Sequence, residues 1–347
     1  MKCYWPWQGM TICPQGYINL CCNTRKSTPF SVNIKDVESL WDVWYGEEYM
    51  RVRSQMEEIG WERMPSCATC KKGVNKAPLH HSQSLFHKGL INGLYYLELS
   101  TSNVCNQMCV MCNSEFSTKW QDHEEKFDRI AQPTFSYSDE DIDKIIEVMT
   151  DVRSIQFKGG EPFADLKNLR IIKAARQDCD IYFTSNMQHV PKAFEDEIVN
   201  RNVGISASID GIGRLFNWIR GGDFDRVIDN MERLHSKGLR PFQVNVCVSA
   251  YNVRHLREIV DYFKDKPFVR PIEFNNNSIV VGPWWCSVTK LFDQDEYDQI
   301  ISDQFEGTDV DITSLKNLKC QKIEYQTHAF KKYTSIMNEV RGFERYK

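Results

Sequence analysis

The sequence predicts an α/β fold, a partial (β/α)6 barrel of the TIM-like type that follows a small cysteine-rich hairpin-plus-helix module. The main observation is that six short apolar segments, each typical of a β-strand, alternate with segments of helical periodicity. Such alternation favours a parallel sheet with right-handed crossovers. In that architecture the functional residues lie at the carboxyl ends of the strands. A second observation is that the first 85 residues do not follow this pattern.

The barrel is predicted to occupy residues 86–285. Its strands are predicted at 94–99, 153–157, 180–184, 203–207, 243–248 and 270–275. Its helices are predicted at 115–130, 138–150, 166–177, 192–200, 223–237 and 252–264. Ser138 precedes an acidic first turn, which is typical of a helix N-cap. Residues 286–347 carry mixed charges and no clear motif, and we expect them to form a C-terminal extension that closes the barrel.

The module at residues 1–85 is rich in cysteine and tryptophan. It begins like a β-hairpin, with Gln8–Cys13 and Tyr17–Cys22 flanking a Pro-Gln-Gly turn. Apolar residues at helical spacing then predict an amphipathic helix at about 37–58. A Cys-x2-Cys pair follows at positions 67 and 70.

Composition excludes several classes of protein. The chain has 347 residues, of which 41% are hydrophobic, and a net charge of −4 with both signs mixed along it. Because no basic stripe is present, nucleic-acid binding is unlikely, and no apolar run approaches the roughly 18 residues of a membrane helix. The 13 cysteines are odd in number and the sequence starts without a secretory apolar region. We therefore expect a reducing, cytoplasmic location, where thiols stay available for metal.

Three cysteines directly after the first predicted barrel strand carry the clearest chemical signal. Cys105, Cys109 and Cys112 have the spacing C-x3-C-x2-C. Three thiolates can hold three corners of a cubane iron–sulfur cluster and leave one iron open for another ligand. An open iron indicates a catalytic cluster. A zinc loop is the alternative, although zinc sites usually show paired C-x2-C units.

This loop resembles the signature of the radical SAM superfamily. The resemblance implies that Cys105, Cys109 and Cys112 hold a catalytic [4Fe–4S] cluster whose open iron binds S-adenosylmethionine. It also implies that an electron from the cluster cleaves this cofactor to a 5′-deoxyadenosyl radical. Met111 occupies a position that is aromatic in most members, and it is apolar enough to pack near the adenine.

The same resemblance assigns a cofactor role to residues that follow the next two strands. It implies that Gly159, Gly160 and Glu161 contact the methionine amino group, since paired glycines let the backbone approach a ligand. Asn186 ends the following strand, where a short polar side chain can reach a ribose hydroxyl or a carboxylate. The alternative for the glycine segment is an ordinary βα turn.

Ser208 and Arg220 resemble the serine and arginine that commonly hold the cofactor carboxylate in relatives with extra clusters. A planar guanidinium suits a carboxylate, whereas a strand-end serine and a surface arginine are the structural alternative. Val246, or Val248 on the same strand, could pack against the adenine, and a plain core valine fits equally well.

The N-terminal cysteines resemble a second cluster site. Cys3, Gly16 and Cys21 have the spacing C-x12-G-x4-C, and Cys67 and Cys70 follow. This pattern resembles the twitch module, a shortened SPASM domain, which implies an auxiliary [4Fe–4S] cluster. The familiar module follows the barrel, whereas here it comes first. A structural zinc site is the alternative.

Other cysteines leave the ligand set and the reaction open. Cys13 and Cys22 are alternatives to Cys3 and Cys21, because spacing does not decide between near neighbours. Cys286 follows Gly-Pro-Trp-Trp near the predicted end of the last strand, where it could be a hydrogen-atom donor or a cluster contact. A free cysteine is more often a small buried hydrophobe.

The resemblance therefore implies a radical SAM enzyme, an oxidoreductase or isomerase, that abstracts a hydrogen atom from a small-molecule or peptide substrate. The auxiliary cluster would assist oxidation, and a flavodoxin or ferredoxin would donate electrons. A redox-neutral epimerase, a rearrangement enzyme or a peptide-modifying enzyme is the first alternative. A non-catalytic iron–sulfur or zinc protein, acting as a sensor or scaffold, is the alternative of a different class.

Overall fold

Seven β-strands form a mostly parallel sheet in the computed structural model, which describes residues 2–24, 32–71, 77–274 and 279–342. The strands are β1 (Gly9–Ile12), β2 (Ile18–Asn19), β3 (Tyr96–Leu99), β4 (Ser154–Phe157), β5 (Asp180–Ser185), β6 (Gly204–Ser208) and β7 (Gln243–Asn245). Their order is β2-β1-β3-β4-β5-β6-β7. The predicted α/β fold is confirmed, and the sheet is consistent with a partial TIM-like barrel.

The helices alternate with the barrel strands as predicted. The α-helices are α1 (Leu40–Trp44), α2 (Glu47–Ile59), α3 (Ala68–Lys71), α4 (Ala77–His87), α5 (Asp139–Val148), α6 (Lys167–Ala174), α7 (Lys192–Asn200), α8 (Arg214–Arg220), α9 (Phe224–Ser236), α10 (Leu256–Phe263), α11 (Val288–Leu291), α12 (Gln294–Phe305), α13 (Thr313–Lys316) and α14 (Glu324–Arg341). Short 3-10 helices occur at Trp5–Trp7, Ile34–Asp36, Trp61–Arg63, Pro65–Cys67, Pro162–Ala164 and Trp284–Cys286, with a longer one at Thr118–Phe127. None of the helices in these described ranges is long and apolar enough to span a bilayer.

Two predicted helices differ from the structure in kind. The segment predicted at 37–58 is two helices, α1 and α2, because the chain becomes extended at Gly46 and a new helix begins there. The segment predicted at 115–130 is the 3-10 helix Thr118–Phe127. The capping of α5 is confirmed. The side chain of Ser138 accepts from the backbone N–H of Asp141, and the side chain of Asp141 accepts from the backbone N–H of Ser138.

The N-terminal hairpin is confirmed and has an additional partner. β1 and β2 pair antiparallel, with Thr11 opposite Asn19. β1 also pairs parallel with β3, from Gly9 beside Tyr96 to Ile12 beside Leu99. The hairpin therefore extends the sheet, which the sequence pattern did not predict.

The last predicted strand is wrong over its described residues. Residues 270–274 form no strand, and residue 275 lies outside the described residues. A single parallel bridge joins Phe242 and Val269 instead. Pro271 explains the difference, because a proline has no N–H group to donate to a sheet ladder.

β7 is also shorter than the predicted 243–248, for a different reason. The backbone N–H of Cys247 donates to the carboxylate of Asp210, over 2.6 Å, rather than to a neighbouring strand. The side chain of Asp210 thus takes the place of a strand partner at Cys247. One residue further on, a single parallel bridge joins Val248 and Ile279.

Contacts divide the chain into two units. The first comprises residues 1–104, 134–184 and 191–204, and the second comprises residues 105–133, 185–190 and 205–347. In the first unit, alternate strand residues are apolar and buried, namely Leu97, Leu99, Ile155, Phe157, Ile181 and Phe183. In the second unit the core is an aromatic cluster that includes Trp120, Phe127, Trp218, Tyr251, Trp285 and Tyr333.

Candidate functional site

The three predicted cluster cysteines lie on one segment of the second unit, residues 105–112, which we call the cluster loop. Hydrogen bonds from several segments hold its backbone. The N–H of Cys112 donates to the carbonyl of Cys109 over 2.9 Å, and the indole of Trp120 donates to the same carbonyl over 3.1 Å. Arg129 donates to the carbonyl of Cys112 over 2.9 Å, and Val110 donates to the carbonyl of Ile219 over 2.8 Å. The loop is therefore fixed at both of its later cysteines.

The thiols of the cluster loop are close enough to influence one another. Burial raises the pKa of Cys112, and the neighbouring Cys109 and Cys105 raise it further. Burial also raises the pKa of Cys109, and the cations of Arg220 and Arg341 partly oppose that rise. Three thiols and two cations thus share one region, a donor set that fits an anionic cluster held by thiolates.

Gln107 connects the cluster loop to other segments of the second unit. Its side chain is 1% exposed. Its amide nitrogen donates to Gln188 over 3.2 Å, and its amide oxygen accepts from Nε of Arg220 over 3.3 Å. A Cβ at Gly222 would overlap the ends of both glutamine side chains. A side chain at residue 222 would therefore require both glutamine side chains to move.

Arg220 forms a buried ion pair. Its Nη1 lies 2.7 Å from Oδ2 of Asp210, a carboxylate with no exposed surface. Burial alone would lower the pKa of Arg220, but Cys109 and Asp210 raise it above its ordinary value. The predicted carboxylate-binding arginine is thus charged and oriented by a protein carboxylate that the sequence analysis did not single out.

The other predicted cofactor residues of the second unit lie near these groups to different degrees. The amide nitrogen of Asn186 lies 3.8 Å from the sulfur of Cys105 and donates to Asn106 over 2.7 Å. Ser208 ends β6 in register with Asn245 and is buried. Val246 is also buried. Met111 packs against the aromatic cluster.

Gly159, Gly160 and Glu161 follow β4 in the first unit. A Cβ at Gly159 would lie 2.8 Å from Cβ of Ser100, and a Cβ at Gly160 would overlap the carbonyl oxygen of Val104. The glycines therefore let this turn pack against the chain that leaves β3. Glu161 is 2% exposed and accepts from the N–H of Phe163 over 3.2 Å, which caps the short helix that follows.

One face of the first unit's sheet is polar where the strands end. Lys158 and Glu98 form an ion pair with a 2.8 Å Nζ–Oε2 distance. Glu98 lies opposite Gln156 on the adjacent strand, and Gln156 donates to the hydroxyl of Thr184 over 3.2 Å. Residues 98, 156, 158 and 184 alternate with the apolar strand residues, so the polar periodicity was visible in the sequence although we did not use it.

The N-terminal cysteines come together in the first unit. The surroundings of Cys3 include Cys67 and Cys70, and those of Cys21 include Cys3 and Cys70. Burial is the main cause that raises the pKa of Cys3, to about 12, and the other thiols add to the rise. The amide of Asn23 donates to the sulfur of Cys70 over 3.0 Å. We call Cys3, Cys21, Cys67 and Cys70 the N-terminal cysteine group.

The two alternative N-terminal ligands have different surroundings. Cys13 is buried, and its carbonyl accepts from the hydroxyl of Tyr137 over 2.6 Å. The pKa of Cys22 rises to about 12, mainly through burial and also through the charge of Glu98, while Lys158 opposes the rise. Cys22 therefore lies between the N-terminal cysteine group and the polar sheet face.

Cys286 and Cys247 occupy contrasting positions in the second unit. Cys286 has no exposed surface, and its thiol donates to the carbonyl of Pro283 over 3.3 Å within the aromatic cluster. Cys247 is half-buried, and its surroundings include Asp210, Arg220 and Cys109. The sequence analysis nominated Cys286 and did not single out Cys247.

Sequence reasoning missed Gln107, Asp210 and Arg341 as neighbours of the cluster thiols. Gln107 lies inside the cysteine motif, so its position was a usable signal. Asp210 lies two residues after Ser208, but its partnership with Arg220 is known only from the fold. Arg341 stands in a segment with no motif, and nothing in its sequence context indicated a contact with residue 108.

Comparison with protein families agrees with this arrangement. The family model of the radical SAM superfamily matches residues 99–263, and the SPASM iron–sulfur cluster-binding domain matches residues 3–71. The chain belongs to the radical SAM superfamily and carries its SPASM domain before the barrel. A [4Fe–4S] cluster and S-adenosylmethionine are accordingly its cofactors, together with an auxiliary iron–sulfur cluster.

Individual relatives are distant. The chain is 27% identical over 178 residues to a probable GTP 3′,8-cyclase of Methanocaldococcus jannaschii, covering 49% of this chain and 55% of that protein. It is 25% identical over 180 residues to the radical SAM cyclopropyl synthase TigE of Paramaledivibacter caminithermalis, covering 49% and 37%. The chain thus spans about half the length, or less, of these curated relatives.

A similar solved structure is that of Streptococcus suis SuiB bound to S-adenosylmethionine. The match has a TM-score of 0.43 and 16% identity, and it covers 85% of this chain and 65% of that one.

Within the described part of the chain, no three histidine, cysteine, aspartate or glutamate side chains form a group that could hold one metal ion. An iron–sulfur cluster takes its thiolates on different iron atoms, and the thiols of each group lie in one region.

Proposed function

We propose that this protein is an enzyme that cleaves S-adenosylmethionine reductively and abstracts a hydrogen atom from a polar small-molecule or peptide substrate. When bound and reduced, the catalytic cluster supplies the electron that converts the cofactor to a 5′-deoxyadenosyl radical. The observation that carries the proposal is the cluster loop, where Cys105, Cys109 and Cys112 lie beside the buried Asp210–Arg220 pair.

Arg220 is proposed to bind the carboxylate of S-adenosylmethionine. Two of its five N–H groups are used by Asp210 and Gln107. The remaining ones can donate to a ligand carboxylate, and Asp210 keeps the guanidinium plane in place. Ser208 is proposed as a second donor to the same carboxylate, and Asn186, beside Cys105, as a partner of the ribose or the carboxylate.

The other proposed cofactor contacts are less direct. Gly159 and Gly160 leave the backbone of their turn free of Cβ atoms, and the carboxylate of Glu161 is proposed to accept from the methionine amino group. Val246 and Met111 are apolar, and they are proposed to pack near the adenine.

The N-terminal cysteine group is proposed to hold the auxiliary cluster. A cluster there can accept an electron from a substrate radical, so that the net reaction is a two-electron oxidation. The catalytic cluster needs an external electron donor, for which a flavodoxin or ferredoxin is suitable. Asn23 donates to the sulfur of Cys70, and such hydrogen bonds tune the potential of a cluster.

The polar sheet face supports a polar substrate. Lys158 is 41% exposed and its partner Glu98 only 9%, so the ammonium is the accessible member of the pair. Gln156 and Thr184 provide hydrogen-bonding groups on the same face. We propose that Lys158 binds an anionic group of the substrate, such as a phosphate or carboxylate.

The test is formation of 5′-deoxyadenosine after anaerobic cluster reconstitution and chemical reduction. We expect product from the wild type and none from Cys109→Ala, because the cluster would lose one of its three ligands. Cys179→Ala is the matched control, since Cys179 is a buried cysteine outside both groups. Product from Cys109→Ala at the wild-type rate, or none from a wild type that carries its clusters, would contradict the proposal.

The same assay identifies the substrate class. Substrate binding commonly accelerates cleavage of the cofactor, so GTP and short peptides are compared as additives, following the reactions of the named relatives. We expect stimulation by a compound with an anionic group, and we expect Lys158→Met to require more of it. Stimulation that is equal in both proteins would exclude Lys158 as a substrate contact.

A redox-neutral reaction is the second candidate, and Cys247 favours it. Such a reaction needs a group that returns a hydrogen atom, and Cys247 is a half-buried thiol near Arg220 and Cys109. If the reaction is redox-neutral, the wild type with a stimulating substrate in D2O should place solvent deuterium in the product, and Cys247→Ser should not. A wild-type product without deuterium would contradict this candidate. Loss of deuterium in Cys286→Ala, with Cys247→Ser unchanged, would assign the donor to Cys286 instead.

A further inference from the structure

The C-terminal helix α14 ends beside the cluster loop. Its last residue, Arg341, donates through Nη2 to the carbonyl of Met108, the residue between Gln107 and Cys109. Arg341 also donates to two carbonyls near the end of α8, to Asn217 over 3.0 Å and to Ile219 over 3.3 Å. One guanidinium therefore joins the cluster loop to α8, whose last residue is Arg220.

The position of Arg341 is fixed by further contacts of α14. Asn338 accepts from the indole nitrogen of Trp218 over 2.7 Å, and the guanidinium lies 5.8 Å from the centre of the Trp218 ring. Met337 has no exposed surface within the aromatic cluster. Met337, Asn338 and Arg341 thus all anchor the C-terminal end of α14, and the guanidinium has little freedom to leave the carbonyls.

Arg341 also places a positive charge near a cluster thiol. Burial lowers its pKa to about 10, and the nearby Cys109 opposes that fall. The side chain remains charged at neutral pH, because its pKa stays well above 7. Its charge lies in a poorly solvated region, where electrostatic interactions are stronger than in water.

We propose that Arg341 is a positioning residue for the catalytic cluster, which holds the cluster loop through Met108 and raises the reduction potential of the cluster. The inference rests on the proposed assignment of Cys105, Cys109 and Cys112 as ligands. Residue 341 lies outside the two matched family regions, which end at residues 71 and 263.

The physical reason is a difference in charge between the two oxidation states. Reduction adds one negative charge to the cluster, so a nearby buried cation stabilises the reduced state more than the oxidised state. Charge, burial and hydrogen bonding around a cluster are the means by which a protein sets its potential. Removal of the cation should therefore make the cluster harder to reduce.

The experiment measures the midpoint potential of the catalytic cluster by a redox titration followed by electron paramagnetic resonance. All proteins carry Cys67→Ala and Cys70→Ala, so that the auxiliary cluster does not contribute. We expect Arg341→Met to shift the reduction equilibrium at least tenfold towards the oxidised cluster, which is 59 mV for a one-electron couple. Lys332→Met is the matched control, because Lys332 is an exposed cation on the same helix that pairs with Asp128.

A second measurement tests the positioning role separately. Arg341→Lys keeps the charge but replaces the planar guanidinium by a compact ammonium, which does not spread its donors across the cluster loop and α8. We therefore expect it to lose iron to a chelator several-fold faster than the Lys332→Met control. The same variant is expected to keep a midpoint nearer to the wild type than Arg341→Met does. If Arg341→Met fails to fold, the iron loss of Arg341→Lys still tests the positioning role of Arg341.

The outcomes separate this inference from the proposed function. Equal midpoints in Arg341→Met and Lys332→Met, or iron loss from Arg341→Lys at the control rate, would contradict the role of Arg341. Absence of any cluster in the Cys67→Ala/Cys70→Ala background would instead contradict the proposed cluster ligands, and the inference would fail with them.

Discussion

The thiols of the two cysteine groups come from different kinds of segment and have different neighbours, although each group is assigned an iron–sulfur cluster. The cluster loop supplies its three thiols from residues 105–112, and two buried cations lie near them. The N-terminal cysteine group draws its thiols from the hairpin region and from the segment around residues 67–70. There burial is the main cause that raises the pKa of the thiols, and neighbouring thiols raise it further.

This difference shows how ligands and electrostatics are specified separately. A short motif is sufficient to bring three thiols together, because the chain between them is too short to separate them. The charges beside the motif come from α8 and α14, which follow it by more than a hundred residues. Two clusters with similar ligands can therefore have different potentials, since their neighbours differ.

The largest expected effect concerns Arg220, which forms the buried ion pair of the second unit. Arg220→Met should lower the free energy of unfolding by about 3–5 kcal/mol, because it leaves Asp210 buried without its partner. Urea denaturation of the cluster-free protein measures the change. The double variant Asp210→Asn/Arg220→Met should lose less than the single variant, and a single variant as stable as the wild type would remove the ion pair from the account.

A pair of glycine substitutions compares packing in the two units. Gly160→Ala should cost about 1–3 kcal/mol or more, because its Cβ would overlap the backbone of Val104. Gly222→Ala should cost less, because its Cβ would meet the ends of Gln107 and Gln188, which can move. Thermal unfolding of the two variants gives the order, and the reverse order would contradict the geometry.

Acid should weaken the first unit through His81, which packs 4.4 Å from the ring of Tyr96. Burial and the nearby Lys88 lower the pKa of His81 to about 4. The unfolded chain, with an ordinary histidine pKa near 6.5, binds the proton first as the pH falls. Stability present above pH 6.5 is therefore lost between pH 6.5 and about 4, by roughly 3 kcal/mol.

His81→Phe keeps an aromatic ring at this position and should remove that acid dependence. If His81→Phe keeps the full loss of stability between pH 6.5 and 4, the dependence arises from another group.

The smallest expected effect concerns Lys158, which forms an ion pair with Glu98 in the first unit. Lys158→Met should cost about 1 kcal/mol, because the ion pair with Glu98 is partly exposed to water and its attraction is screened. Lys158→Arg keeps the charge and should cost less. A loss as large as that of Arg220→Met would show that the two units do not differ in the burial of their charged pairs.

Much of the barrel could be predicted because its signals are local. The strands near residues 96, 154, 180 and 204 follow from apolar runs, and the cluster loop follows from its cysteine spacing. The pairing of β1 with β3 could not be predicted, because periodicity shows that a strand exists and does not show which strand lies beside it.

The site contacts that could not be predicted from the sequence were missed for the same reason, because they join residues far apart in the chain. Arg341 contacts a carbonyl 233 residues earlier in the chain, and Arg220 contacts Gln107 113 residues earlier. Contacts to a backbone carbonyl leave no signature in the partner's residue type. Two local signals were present in the sequence, namely the polar alternation at residues 98, 156 and 158 and the position of Gln107 inside the cysteine motif.

The most direct test of the account is the iron and acid-labile sulfide content per chain after anaerobic reconstitution. The wild type should contain about eight irons, and about four should remain both in Cys105/Cys109/Cys112→Ala and in Cys67/Cys70→Ala, as two cubane clusters require. About four irons in the wild type, with none left in Cys105/Cys109/Cys112→Ala and no change in Cys67/Cys70→Ala, would contradict it. The N-terminal cysteine group would then hold no cluster.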